Sequence, residues 1–337
     1  MTHVLIIGAG DIGQAIGRII SPKATVGFWD KDQSRIKGET DIAKAIQKAE
    51  IIFICAPSWA NRDLASQIAK VTSYKLPCFA PDGATQGEQV TSSNLKPKTK
   101  GLNPKIVISL SKGIAQDSHK LVSEILDEEL SGKTDFGVMA GPMIAEELTK
   151  GQASAAIIGL SKPSWQKKLQ SLFENSLLNI SFSSDLKGLS LCSVLKNIYA
   201  IGLGMADELK AKTNMKSIIT DKALKEMLEI VPRLGGQKET VLGVAGLGDL
   251  LATGWSGRSY NFAVGQSLVR RQTSDVKRQT TADKRLTNLS SEGIVSLESI
   301  AEILGTRLKH YQLLDIITAI ILRHANPKKI LELEVMA

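Results

Sequence analysis

Residues 4–13 read VLIIGAGDIG: an apolar run that ends in glycines and passes at once into a helix-like segment, Asp11–Ile20. Gly8, Gly10 and Gly13 fit the spacing G-x-G-x-x-G. The pattern is informative here because it follows a strand and opens a helix. Gly8 permits the tight turn, Gly10 lets backbone approach a pyrophosphate, and Gly13 lets the helix pack closely on the strand. The helix N-terminus, from Asp11 and Ile12 onward, offers N–H groups and a partial positive charge to phosphate. Asp11 opposes this with a negative charge unless its side chain caps the helix and points away. Asp30 lies 20 residues after Gly10 and closes the next apolar segment, Thr25–Trp29. An acid there hydrogen-bonds an adenosine ribose 2′-hydroxyl and repels a 2′-phosphate, so the expected cofactor is NAD(H) in preference to NADP(H). Lys31 beside it works against that choice.

Working outward, the alternation continues. Asp41–Ala49 is helix-like and Ile51–Ala56 is apolar. Lys105–Leu110, Phe136–Ala140 and Ala155–Leu160 follow as further strand candidates. Strands alternating with helices predict a doubly wound, mainly parallel α/β sheet of Rossmann type. One stretch breaks the rhythm: 72–104 is rich in Ser, Thr, Lys, Gly and Pro and is long for a connection, so it reads as a surface insertion. From Leu189 onward helical spacing dominates, as in Ala223–Ile230, Asn261–Arg271, Ser296–Leu304 and Leu313–Leu322. The expected organisation is a dinucleotide-binding domain at 1–188 and an all-α domain at 189–337. Arg270–Leu289, basic and rich in Thr and Gln, reads as an exposed connector.

Composition narrows the function. Among 337 residues 43% are hydrophobic and 23% charged, which excludes a disordered chain or a fibre. The net charge of +8 suits an anionic ligand, but aromatics are only 4%, too few for a base-stacking surface, and nucleic acid is not the expected partner. Cys55, Cys78 and Cys192 form no C-x-x-C pair, and His3, His119, His310 and His324 form no H-x-x-x-H pair, so no metal site is expected. The N-terminus lacks a basic leader with a long apolar core, and no uncharged apolar run reads as a membrane span, which with free thiols suggests a cytoplasmic protein.

Two isolated charges stand out. Lys196 is the only charged residue between Lys187 and Asp207, and Asp249 the only one between Glu239 and Arg258. An interior lysine costs several kcal/mol unless it is paired or its pKa falls. Such a lysine suits acid–base work on a carbonyl/alcohol pair; the competing reading is an ion pair or a side chain that reaches the surface. Asp249 either caps a helix or faces Lys196 and tunes it. Lys112 follows the strand end in VISLSKG, the edge where open α/β sheets bind ligands, although lysines there are also often simply solvated.

These residues lie in blocks that together resemble the NAD(P)-dependent glycerol-3-phosphate dehydrogenases: GAGDIGQAIG, ISLSKGI, MAGPMIAEEL, SVLKNIYAIGLGMAD, VAGLGDLLATGWSGRSYNFAVG and SSEGI, in order over residues 8–294. The resemblance implies a Rossmann domain plus a helical domain, reduction of dihydroxyacetone phosphate, a small phosphorylated substrate and a homodimer. It assigns Lys196 as the catalytic lysine beside Asn197, and Lys112 near substrate and cofactor. It sets Asp249 and Thr253 in the substrate pocket, with Ser259 and Asn261 contacting substrate. Gly141 and Ala145 fall beside substrate and nicotinamide, and Glu292 near the cofactor ribose.

Departures from the family pattern concentrate on the phosphate grip. The family's S-R-N is Ser259-Tyr260-Asn261, with Arg258 two residues from the missing arginine; G-P-S ends in Met143; Asp11-Ile12 replaces Ser-Trp or Ser-Phe; and T-R-G reads Thr220-Asp221-Lys222. Tyrosine offers one hydroxyl where arginine offers a planar fork. A related hydroxy-acid or polyol-phosphate dehydrogenase, and a dinucleotide sensor without turnover, therefore stand beside the leading reading.

Overall fold

The computed structural model describes residues 1–72, 105–257, 259–272 and 291–333. Seven strands form one sheet: β1 (Thr2–Ile7), β2 (Ala24–Trp29), β3 (Ile51–Ile54), β4 (Ile106–Ser109), β5 (Asp135–Ala140), β6 (Ser154–Leu160) and β7 (Leu178–Ser183). Their order is β2-β1-β3-β4-β5-β6-β7. All neighbours are parallel except β5 and β6, which run antiparallel.

Both faces of the sheet are covered, in keeping with β3 being apolar at every position and β4 at all but its last, the buried Ser109. Ile6, Phe53 and Ile108 pack on one face; Leu5, Ile7, Ile52, Ile54 and Val107 pack on the other. This is the period-two alternation of a strand applied to residues that are apolar at every position. Ile7 pairs with Ile54, and Ile54 with Ser109. The C-terminal ends of β1, β3 and β4 are therefore flush, and the loops after them meet at one edge.

The second half is helical throughout among the described residues. Its axis is the 23-residue helix Leu186–Glu208. Leu189 packs with the sheet, whereas Leu191 and most later apolar residues of this helix join a separate core. Around it lie Thr213–Arg233, Asp249–Trp255, Tyr260–Gln272, Glu292–Leu304 and Gln312–Leu322. The helix is long and apolar enough to cross a membrane, but its apolar stretch, residues 188–206, is buried throughout inside the protein. Two glycines set its closest approach. A Cβ on Gly204 would lie 2.0 Å from the Phe262 carbonyl oxygen, and one on Gly265 would lie 2.0 Å from that of Ile201. Only there can Tyr260–Gln272 come close enough to bring Asn261 beside Asn197.

Three sequence expectations change. β7 is an additional strand. Thr72, assigned to the insertion, is the last residue of helix Asn61–Thr72, and Arg270 to Gln272, assigned to the connector, finish helix Tyr260–Gln272. The rest of the insertion, the rest of the connector and Cys78 lie outside the described residues.

Candidate active site

The glycine loop forms one end of the site. Gly8 has φ +105°, and a Cβ on it would lie 2.6 Å from the Cys55 carbonyl oxygen. Gly13 touches the same turn: its Cβ would lie 2.0 Å from the Gly8 carbonyl oxygen. Gly10 is different, because a Cβ there would meet nothing within 4 Å. The space it leaves is open, at the N-cap of a helix that no side chain caps. Asp11 is exposed and does not cap the helix, while Ile12 packs against the sheet core. Asp30 lies at the end of β2, where one carboxylate oxygen accepts the Ala9 N–H at 2.7 Å and the other accepts the Asp32 N–H at 2.9 Å. An uncapped helix N-terminus, an open glycine and an anchored acid fit a dinucleotide with a free ribose diol.

The chemistry-bearing groups converge at the other end. Lys112 lies in the loop after β4, and Lys196 lies mid-way along the central helix. Asp249 opens helix Asp249–Trp255, directly after a π-helical turn at Val244–Gly248; such turns often mark functional sites. Its side chain does not cap that helix. It turns to the lysines: Oδ2 accepts from Lys112 Nζ at 2.8 Å and Oδ1 from Lys196 Nζ at 3.2 Å. Thr253 is one turn further along, where its Oγ1 accepts from Lys196 Nζ at 2.8 Å and donates to Asp249 Oδ1 at 3.2 Å. Lys112 Nζ also donates to the Gly141 carbonyl at 3.3 Å. Gly141 has φ +137°, and a Cβ on it would lie 2.6 Å from the Ala155 carbonyl oxygen.

Electrostatics follow from burial. Lys196 is 5% exposed and Asp249 2%. Burial pulls the Lys196 ammonium down to about 8; the Asp249 carboxylate opposes that fall and the neighbouring Lys112 charge adds to it. Burial alone would raise Asp249, but the two lysines outweigh it and hold the carboxyl below its ordinary range. Glu292 is raised by burial, against the opposing pull of the Ser58 N–H and the two lysines. A lysine poised near neutrality against a permanently ionised aspartate can exchange a proton with an alcohol or alkoxide at ordinary pH.

A cleft of about 270 Å³ opens over these groups. Lys112, Ala145, Lys196, Asn197, Asp249, Thr253, Ser259, Asn261 and Glu292 all line it. Met143 lines it too, in the position where the resemblance expects serine. Tyr260 does not; it is 52% exposed. Arg258 lies outside the described residues. A larger cleft, about 510 Å³, sits at the opposite edge of the sheet beside Lys105 and Lys162. It lacks Lys112, Lys196 and Asp249; its buried Lys105 is held by the Ile46 and Gln47 carbonyls, and Lys162 is paired there with Asp135 at 2.7 Å.

Some organising residues escape sequence reasoning. Ser58 donates its N–H to Glu292 Oε1 at 3.2 Å. Asn61 and Ser109, both fully buried, join the loops after β3 and β4 through a 2.8 Å hydrogen bond. Single serines and asparagines near strand ends carry no distinguishing pattern.

The family descriptions for the N- and C-terminal parts of NAD-dependent glycerol-3-phosphate dehydrogenase match residues 85–166 and 185–332. Glycerol-3-phosphate dehydrogenase [NAD(P)+] of Ectopseudomonas mendocina is 30% identical over 288 residues, covering 79% of this chain and 76% of that protein. The chain belongs to the glycerol-3-phosphate dehydrogenase family. The homologue from Psychrobacter arcticus is 28% identical over 323 residues, 89% of this chain; the match spans 66% of that relative's length, just under two thirds. The crystal structure of glycerol-3-phosphate dehydrogenase from Coxiella burnetii shares the fold, with a TM-score of 0.78 at 21% identity over 98% of both chains. Glycerol-3-phosphate dehydrogenases of this family are NAD(P)-dependent oxidoreductases acting on a CH–OH group, and the two-part architecture described above is theirs.

Proposed function

We propose that the chain catalyses the reversible NAD(H)-dependent reduction of dihydroxyacetone phosphate to sn-glycerol 3-phosphate. The observation that carries this reading is a single buried carboxylate, Asp249, with one oxygen on a lysine from the sheet half and the other on a lysine from the helical half. Gly8, Gly10, Gly13 and the first turn at Asp11 and Ile12 would hold the pyrophosphate, and Asp30 the adenosine ribose. Ala145 and Glu292 would flank the nicotinamide end. When bound, the dinucleotide supplies or accepts the hydride at the substrate's C2.

The remaining steps belong to the chain. Lys196 delivers a proton to the carbonyl oxygen as it becomes an alkoxide, and withdraws it in the reverse direction. Lys112 supplies positive charge to the same developing oxyanion. Asp249 holds both ammoniums, so neither needs to reorganise during the reaction. Thr253 fixes the direction of the Lys196 ammonium. Asn197, Ser259 and Asn261 bind substrate hydroxyl or phosphate oxygens, Gly141 holds Lys112 through its carbonyl, and Arg258 is the candidate cation for phosphate. The functional units are 1–188 for the dinucleotide and 189–337 for substrate, in a cytoplasmic homodimer that needs no nucleic acid.

One observation favours a second reading. Met143 replaces a polar side chain in the cleft, and Tyr260 replaces the family arginine, so a related polyol phosphate or hydroxy acid would also fit. NADH oxidation with dihydroxyacetone phosphate, beside unphosphorylated dihydroxyacetone, separates the two. The leading reading requires a strong preference for the phosphorylated ketone; equal use of both moves the substrate to the second class.

A further inference from the structure

The stretch from Lys112 to Leu121 leaves the sheet and enters the helical half. It closes as a small hairpin: Ile114 bridges Leu121, the Ala115 N–H donates to the Lys120 carbonyl at 3.0 Å, and the His119 N–H donates to the Ala115 carbonyl at 2.8 Å. Ile114 and Leu121 are buried in the helical core, not on either face of the sheet. The hairpin is thus rooted in β4 but packed in the other half.

Beyond the contacts of Lys112 itself and those of Lys120 and Leu121 with the helix that follows, its polar contacts fall on one helix. Glu292, Ser296 and Ser299 recur at i, i+4 and i+7 of Glu292–Leu304, the spacing of a single helix face. Glu292 accepts the Ser58 N–H, and the Lys112 backbone N–H also favours its charged form. Ser296 Oγ accepts the Ile114 N–H at 3.2 Å. Ser299 Oγ lies 2.9 Å from His119 Nδ1. Ser296 and Ser299 are each 1% exposed, and buried hydroxyls are costly unless bonded; both are bonded to this hairpin. Gly113 completes the fit, since a Cβ there would lie 2.3 Å from Ser58 Oγ.

The geometry points to Ser296 as a positioning residue: the stripe Glu292–Ser296–Ser299 fixes the hairpin so that Lys112, at its root, keeps its ammonium on Asp249. The inference rests on the roles given above to Lys112 and Asp249. Ile114 is two residues from Lys112, so any shift of the hairpin is carried to the lysine, whereas Asp249 is held by a different helix. The glycine loop lies on separate strands and is not touched.

The test uses Ser296→Ala, Lys112→Met and the double variant. Turnover of dihydroxyacetone phosphate with NADH is measured in each, and NADH affinity by fluorescence titration. Ser296→Ala should lower kcat about ten- to a hundredfold, the scale of a small misplacement of a catalytic group, with NADH affinity near wild type. In the Lys112→Met background it should add no further loss, because it acts through Lys112. Wild-type kcat in Ser296→Ala, or the same fractional loss in both backgrounds, overturns the proposal. Undiminished turnover in Lys112→Met overturns instead the site reading beneath it. If Ser296→Ala does not fold, Ser299→Ala cuts the far end of the same stripe and is held to the same outcomes.

Discussion

Asp249 has two oxygens, and each takes a lysine from a different half of the chain. That arrangement sets the acid–base behaviour. Lys196 is depressed to about 8, so it is protonated below that pH and neutral above it. In the proposed mechanism a protonated Lys196 reduces the ketone and a neutral one oxidises the alcohol. We therefore predict that kcat for reduction is high below pH 8 and falls as pH rises through it, while kcat for oxidation rises over the same range. Rate profiles in both directions check this; parallel profiles with no opposed limbs near pH 8 would remove Lys196 from the proton transfer. Lys196 and Asp249 were legible in the sequence because each is a lone charge in a long apolar run. Their mutual contact was one of two sequence readings of Asp249, beside a helix cap, and the sharing of Asp249 with Lys112 was not legible at all, because such pairings depend on which elements cross. Ser296 carried no signal, since a serine in an amphipathic helix resembles any other.

The glycine loop and β2 are joined in one element, the proposed dinucleotide site. Asp30 holds the Ala9 N–H as well as facing the expected ribose position, so it ties the loop to the strand. We predict that NADH is used better than NADPH and that Asp30→Ala narrows the gap. Losing a charged hydrogen bond of this kind costs about 1.5–3 kcal/mol, so the kcat/KM ratio for the two cofactors should fall by roughly ten- to a hundredfold. A wild-type preference for NADPH would contradict the role of Asp30. At this scale the sequence was readable where a strand is buried on both faces. Ile51–Ile54 and Ile106–Ser109 are buried at all four positions. It was not readable at β7, where LNISFS mixes buried and solvated positions at the sheet edge and lacks an apolar run. The helix–helix approach at Gly204 and Gly265 was hidden too: each glycine looks like a helix defect until its partner carbonyl is known.

At the scale of the molecule, the site exists because two cores are pressed together along the start of one helix. Leu189 belongs to the sheet core and Leu191 to the helical core, and Lys196 stands within two turns of that change. Substitutions that alter the grip on phosphate should therefore leave this junction intact. Tyr260 opens helix Tyr260–Gln272 and is half exposed, so an arginine there has room to extend. We predict that Tyr260→Arg lowers KM for dihydroxyacetone phosphate by about tenfold or more, as a charge-assisted contact would, with kcat and thermal stability little changed. An unchanged KM would argue that the phosphate end of the substrate lies elsewhere. The central claim, that Lys196 moves the proton while the other half holds the dinucleotide, is tested most directly by single-turnover NADH oxidation in Lys196→Met beside wild type, with NADH affinity measured in both. The account predicts a rate lower by about 100-fold or more, the scale of a lost general acid, with NADH affinity near wild type; a variant that keeps most of its rate would make Lys196 a structural ion-pair partner of Asp249 and nothing more.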